Sequence, residues 1–206
     1  MDRRKHWEDV YGTRQDAELS WHETAPQPSL DLIVRACGGR GGVIDVGGGS
    51  SALVDGLLQQ GFERIAVLDI SHAALDRARA RLGPAADRVQ WIAADVTRAD
   101  GLGLFDVWHD RAVFHFLTAP NDRRDYLGLA RRTVPVGGHM VLATFGPNGP
   151  NRCSGLDVCR YDAAALAGEL GPGFTMMTST IHQHITPWGV AQEFLYAVFR
   201  RCDEHS

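Results

Sequence analysis

Val43-Ile44-Asp45-Val46-Gly47-Gly48-Gly49-Ser50-Ser51 decides the fold. A short β-forming run enters three glycines, and Ser51–Gln60 then carries Leu53, Leu57 and Leu58 at helical spacing before Gly61. A strand, a glycine turn and a helix together bring backbone close to a ligand at a helix N-terminus. Taken alone the turn is ambiguous. Gly47, Gly49 and Ala52 also satisfy the G-x-G-x-x-G/A spacing of dinucleotide sites. A tight turn with no ligand would read the same way.

Outward from the turn, β-rich apolar runs alternate with helical stretches. Ile65–Leu68, Val89–Ala93, Phe105–His109 and His139–Phe145 read as strands. His72–Leu82 behind Ser71, and Asp122–Val134 before Pro135, read as helices, as does Leu170's short segment behind Asp162. Phe174–His184 and Gln192–Arg200 are joined through Thr186-Pro187-Trp188-Gly189, a turn short enough for an antiparallel hairpin. The pattern predicts a doubly wound, Rossmann-like α/β fold: a mostly parallel seven-stranded sheet ending in that hairpin. Residues 1–206 are read as a single domain, with 1–35 as an N-terminal helical cap. Gly146–Arg160, rich in Gly, Pro and Asn, is read as an acceptor lid loop.

Composition narrows the function. The chain has 206 residues, 44% of them apolar and 22% charged, with a formal net charge of −4. That balance supplies no electrostatic footprint for nucleic acid or an anionic membrane. No apolar run approaches the roughly 20 residues that span a bilayer, and no signal peptide is read. Cys37, Cys153, Cys159 and Cys202 form no CxxC pair, which points to reduced thiols in the cytoplasm. The C-terminal loop and hairpin carry Cys153, Cys159, His182 and His184, and the two histidines share a strand face, but Cys-x5-Cys is not a zinc spacing, and no metal is expected. Lys5 is the only lysine, so the Tyr-x-x-x-Lys of short-chain oxidoreductases is absent.

Three carboxylates resolve the ambiguity of the turn. Asp45 lies two residues before Gly47, where it suits a ligand's ammonium or sulfonium and would repel a pyrophosphate. Asp69 closes Val67-Leu68-Asp69-Ile70, in position to accept ribose hydroxyls. Asp95 in Ala94-Asp95-Val96 can accept from an adenine amino group while Val96 packs the ring. Each Asp alone reads as a cap or turn residue. Together they mark the edge at which open α/β sheets bind ligands.

The order Asp45-x-Gly47-x-Gly49, Asp69, Asp95-Val96, Phe105-Asp106-Val107 resembles the class I S-adenosylmethionine-dependent methyltransferases. The resemblance covers about residues 40–145, and the terminal hairpin extends it to the end of the sequence. It implies S-adenosylmethionine as cofactor. Asp45, Gly47, Gly48 and Gly49 would meet its methionine part, Asp69 and Ile70 its ribose, and Asp95 and Val96 its adenine. Trp7, Tyr11 and Trp21 resemble the Trp-x-x-x-Tyr lid of thiopurine-type and small lysine methyltransferases, though these aromatics would equally anchor a helix to the core.

The resemblance places the transferable methyl near the end of the fourth strand. Asp110 and Arg111 are therefore read as cofactor contacts, and His109, Asp110 and His115 as catalytic candidates. A neutral acceptor must lose a proton, and a histidine or carboxylate can take it. The small chain favours a small-molecule acceptor. A protein-lysine acceptor, a nicotinamide-dependent oxidoreductase and a non-catalytic binding module are the alternatives. Oligomeric state is not encoded in these patterns.

Overall fold

The structure is a computed structural model that describes residues 2–23 and 25–203. Met1, Thr24 and Glu204–Ser206, part of the expected 1–206 domain and 1–35 cap, lie outside the described residues.

In chain order the elements are α1 (Arg3–Thr13), α2 (Ser29–Cys37), β1 (Gly42–Val46), α3 (Leu53–Gln59), β2 (Arg64–Asp69), α4 (His72–Leu82), β3 (Val89–Ala93), β4 (Val107–Arg111), α5 (Pro120–Thr133), β5 (His139–Phe145), β6 (Arg152–Cys153), β7 (Leu156–Asp157), α6 (Ala163–Leu170), β8 (Phe174–Ile185) and β9 (Ala191–Arg201). Seven strands form one sheet in the order β3-β2-β1-β4-β5-β9-β8, parallel up to β5 and antiparallel through β9 and β8. This is the predicted doubly wound sheet with its terminal hairpin.

β1 is buried along its whole length, and alternation decides what each side chain meets. Ile44 and Val46 join Trp108, Met140 and Leu142 against Tyr126, Leu127 and Leu129 of α5 and Leu166 and Leu170 of α6. Val43 joins Ile65, Val67, Val107 and Val141 against Leu30 and Ile33 of α2 and Leu53, Val54 and Leu57 of α3. A strand covered on both faces needs the near-continuous apolar run that its sequence shows.

Boundaries differ where tertiary pairing overrides local pattern. The fourth strand begins at Val107 rather than Phe105, because register sets Val107 opposite both Val43 and His139. Phe105 instead donates its N–H to Thr133 O at 2.9 Å, and Asp106 accepts from Gly42 N at 2.6 Å. The expected 146–160 loop contains the ribbon β6–β7 and is anchored at its base, since Asn148 N donates to Glu193 at 2.9 Å and Cys159 N to His115 O at 2.8 Å. The cap holds α1, α2 and a 3-10 turn at Asp16–Glu18. Glu8 seats α1 on the N-terminus of α4, accepting from His72 N at 2.7 Å, Ala73 N at 3.1 Å and Ser71 Oγ at 2.9 Å. Among the described residues, no helix is long and apolar enough to cross a membrane.

Candidate active site

The strand ends that carry Asp45, Asp69 and Asp95 open onto a cleft under the cap. One cavity is lined by Asp69, Ile70, Ala94, Asp95 and Val96, and by Trp7, Trp21, Val113, Phe116 and Cys153. A second is lined by Asp45, Gly48, Ser50, His109, His22 and Glu23. Tyr11, Trp21, Gly47 and Arg111 line both, so the two are compartments of one cleft divided by the glycine turn and the cap.

The turn has no room for side chains. Gly47 has φ +68°, and a Cβ there would lie 2.0 Å from Val113 Cγ2. Gly49 has φ +49°, and a Cβ there would lie 2.7 Å from the Tyr11 hydroxyl. Both positions therefore need glycine for backbone conformation and for space.

The carboxylates are placed with care. Asp45 and His109 are register partners on β1 and β4, both buried, with Asp45 Oδ1 2.7 Å from His109 Nδ1. His109 Nε2 lies 2.9 Å from Ser29 Oγ, at the start of α2. Asp69 accepts from Ser71 N at 2.8 Å. Burial pushes its pKa up to about 7; the N–H groups of Ser71 and Gly49 oppose the rise, while Asp45 and Glu8 add to it. Asp95 accepts from both the N–H and the hydroxyl of Thr97, at 2.9 and 2.8 Å.

The acceptor-side expectations need correction. Asp110 is fully buried beneath the cleft and lines neither compartment. It accepts from Val113 N at 2.8 Å, Phe114 N at 3.0 Å and the Tyr126 hydroxyl at 2.6 Å, and Trp108 in turn donates to that hydroxyl at 2.8 Å. Burial raises its pKa to about 6 against these hydrogen bonds. It braces the turn that follows β4. His115 is also fully buried away from the cleft, and its Nδ1 accepts from Phe145 N at 3.2 Å. Burial, aided by the charge of Arg111, drops its pKa to about 3. His109 does face the cleft, but both its ring nitrogens are engaged. Ser29 of α2, Tyr126 of α5 and Phe145 of β5 enclose the segment.

Arg111 is a clamp on the cap. Its guanidinium donates to Tyr196 OH at 3.0 Å, Trp21 O at 2.9 Å and Glu23 Oε1 at 2.8 Å, and it stacks over Phe194. Trp7 packs edge-on against Trp21 and Phe116, with ring centroids 5.7 and 5.2 Å apart, and Tyr11 against Trp21 at 6.3 Å. These rings roof the cleft. Sequence reasoning missed Ser29, Glu23, Phe116 and Cys153; none has a spacing signal, since each reaches the cleft through tertiary contact. It also missed Ala112, a non-glycine residue at φ +72° that lines the cavity. A left-handed conformation costs a non-glycine residue roughly 1–2 kcal/mol, so the chain holds its backbone tightly just where β4 meets the cleft.

A seven-stranded Rossmann-like sheet with acids at successive strand ends, roofed by aromatics, defines an α/β fold with a cleft at the edge where such sheets bind ligands. A family model described as a methyltransferase domain matches residues 43–138. The chain thus carries a methyltransferase domain, on the fold of the class I S-adenosylmethionine-dependent methyltransferases. It is similar in structure to a protein from work on the conversion of a disulfide bond into a thioacetal group during echinomycin biosynthesis, with 19% identity, TM-score 0.77, and 97% of this chain and 93% of that one covered. It is also similar to the Burkholderia thailandensis 1,6-didemethyltoxoflavin-N1-methyltransferase with bound 1,6-didemethyltoxoflavin and S-adenosylhomocysteine, at 20% identity, TM-score 0.70 and coverage of 97% and 84%. A third is the N-methyltransferase NodS of Bradyrhizobium japonicum in complex with S-adenosylhomocysteine, at 17% identity, TM-score 0.74 and coverage of 98% and 100%. At these identities the likeness is one of fold.

Proposed function

We propose that this enzyme moves the methyl group of S-adenosylmethionine to a small-molecule acceptor, working in the cytoplasm, where its four free cysteines stay reduced. One observation carries the reading: Asp45, Asp69 and Asp95 line one cleft at the ends of three adjacent strands, beneath an aromatic roof.

The residues present fit the cofactor. Among the described residues, Asp45 and Asp69 are buried acids with no Arg or Lys paired to them, and the glycine turn beside them is a cradle that any Cβ would fill. When bound, the cofactor supplies a methyl group on a sulfonium that needs no further activation. Asp45, oriented by His109, takes the ammonium of the methionine part. Asp69 takes the ribose hydroxyls, and Asp95 with Val96 takes the adenine. Trp7, Tyr11 and Trp21 exclude water. Catalysis is then mainly positioning. Asp110 and His115 act by shaping the turn after β4, and neither takes the acceptor's proton.

The acceptor side is walled by Trp7, Trp21, Val113 and Phe116 close to the cap, which suits a compact apolar or aromatic molecule. The test is calorimetric titration with S-adenosylhomocysteine and with NAD, followed by incubation with labelled donor and separate small-molecule and protein extracts. Binding of S-adenosylhomocysteine and label in a small molecule support the reading. Binding of NAD alone, or label confined to protein, refutes it.

A further inference from the structure

The terminal hairpin has a surface that the methyl-transfer reading does not use. β8 is the edge strand of the seven-stranded sheet, so one side of its backbone has no partner strand in the monomer. Monomeric proteins protect such an edge with charge, proline or a covering element. β8 has little such protection. From Leu170 to Gln192 there is no Asp, Glu, Lys or Arg, in a chain that is 22% charged. Pro187 lies in the turn, outside the strand. The one irregularity is a bulge between Met176 and Thr178, which leaves Thr178–Ile185 in regular register with β9.

Apolar side chains stand exposed along this edge. Met177 is 58% exposed, Ile181 49% and Ile185 57%. Their spacing is symmetric about Ile181. In an antiparallel pair related by a two-fold axis through Ile181, each Ile181 meets its own copy, and Met177 meets Ile185 of the other chain. Ser179 then faces Gln183, and Thr180 faces His182. No like charges oppose, and the small and β-branched residues suit cross-strand packing. A strand of this length supplies about ten backbone hydrogen bonds, the number found in an ordinary specific interface. A closed two-fold contact also consumes the edge in both copies, which leaves no template for further chains.

We infer that β8 is a homodimer interface, in which a second copy of this chain pairs antiparallel across Ile181 to make one continuous fourteen-stranded sheet. The occupant is a second copy because the exposed apolar residues Met177, Ile181 and Ile185 are evenly spaced about Ile181, so that two copies bring them together with no charge opposed. The pairing also braces the cap, since His184 on the same strand holds Ser20 O at 2.6 Å.

The experiment is light scattering on the purified full chain at micromolar concentration, with sedimentation equilibrium for the dissociation constant. A mass of two chains is expected. Ile181→Lys sets two ammonium groups face to face on the axis and raises the dimer dissociation constant roughly 100-fold, while circular dichroism and S-adenosylhomocysteine binding report that the fold is kept. Val136→Lys, at another exposed apolar residue, leaves the dimer intact. Register is read by oxidation: Ile181→Cys gives a disulfide-linked dimer, whereas Ile185→Cys does not, because its two copies lie roughly 27 Å apart along the paired strands. A monomeric wild type, a dimer indifferent to Ile181→Lys, dissociation by Val136→Lys, or equal cross-linking at both positions would each overturn the inference.

Discussion

Asp45 and His109 face each other across β1 and β4 at 2.7 Å, both withdrawn from water, and Ser29 completes the chain at 2.9 Å. His109, a catalytic candidate in the sequence, has both ring nitrogens engaged, and in the proposed reading it aims Asp45 at the cofactor. His109→Ala leaves Asp45 without its nearest partner. A hydrogen bond to a charged buried group contributes about 1.5–3 kcal/mol, so affinity for S-adenosylhomocysteine should weaken roughly 10- to 100-fold. His109→Asn, which can still donate to Asp45, recovers part of that loss. Calorimetry together with a kcat–KM split checks it. A collapse of kcat with binding unchanged would return His109 to the chemistry.

Asp69 carries a pH signature. Burial lifts its pKa to about 7, and the groups facing it are Asp45 on β1, Glu8 and Tyr11 on α1, and the N–H groups of Ser71 and Gly49. Ribose hydroxyls that donate to Asp69 favour its ionised form. Ligand binding below that pKa therefore expels a proton, and affinity rises with pH. The dissociation constant for S-adenosylhomocysteine should fall as pH climbs from about 5.5 to about 7.5, by at most about tenfold per unit. Asp69→Asn flattens the profile. Calorimetry in buffers of different ionisation heat counts the proton, and proton uptake on binding contradicts the assignment.

The placement of the three carboxylates was legible in sequence because its logic is local. Asp45, Asp69 and Asp95 each follow a recognisable apolar strand, and parallel topology then brings those strand ends to one edge. The hairpin was legible from two apolar runs and one short turn. The acceptor side was not legible in this way. Asp110 and Arg111 end one strand and His115 follows it, but what they do depends on Tyr126 from α5, Phe145 from β5 and Glu23 from the cap. No periodicity reports those encounters. The two-residue error at the start of β4 has the same origin: Phe105 is as apolar as Val107, and only pairing with β1 and β5 separates them.

Glu23 ties the cap to the sheet at two points. Its Oε1 accepts from Arg111 at 2.8 Å and lies 3.4 Å from His184 Nδ1, with all three side chains at most 16% exposed. Removing Glu23 leaves the Arg111 guanidinium short of its counter-charge. Glu23→Ala should loosen the roof that Trp21 forms. We expect KM for S-adenosylmethionine to rise about 5- to 30-fold, equivalent to about 1–2 kcal/mol, with kcat changed less and proteolysis before α2 accelerated. Arg111→Ala should give the same pattern, more strongly. If KM holds while kcat falls, the clamp serves the acceptor rather than cofactor retention.

His115 makes a prediction about stability. Burial and the nearby Arg111 charge lower its pKa to about 3, whereas the unfolded chain titrates near 6.5. Between those values the unfolded state binds a proton that the folded state refuses. The stability linked to His115 is therefore present above about pH 6.5 and is lost as pH falls toward 3. Asp69 and Asp110, raised to about 7 and about 6, run the other way and gain as pH falls. His115→Asn keeps an acceptor for Phe145 N and removes only the histidine's contribution. At pH 7.5 the variant should be less stable by about 1–3 kcal/mol, for lost packing and a poorer hydrogen bond. That gap should narrow on acidification, by no more than about 1.4 kcal/mol per unit, while turnover at neutral pH stays within a few-fold of wild type. Urea unfolding across a pH series measures the first, and a donor-consumption assay the second. A gap that stays constant would mean that His115 titrates normally in the fold. Turnover reduced by several orders of magnitude with cofactor affinity intact would mean that it reaches the reacting proton after all.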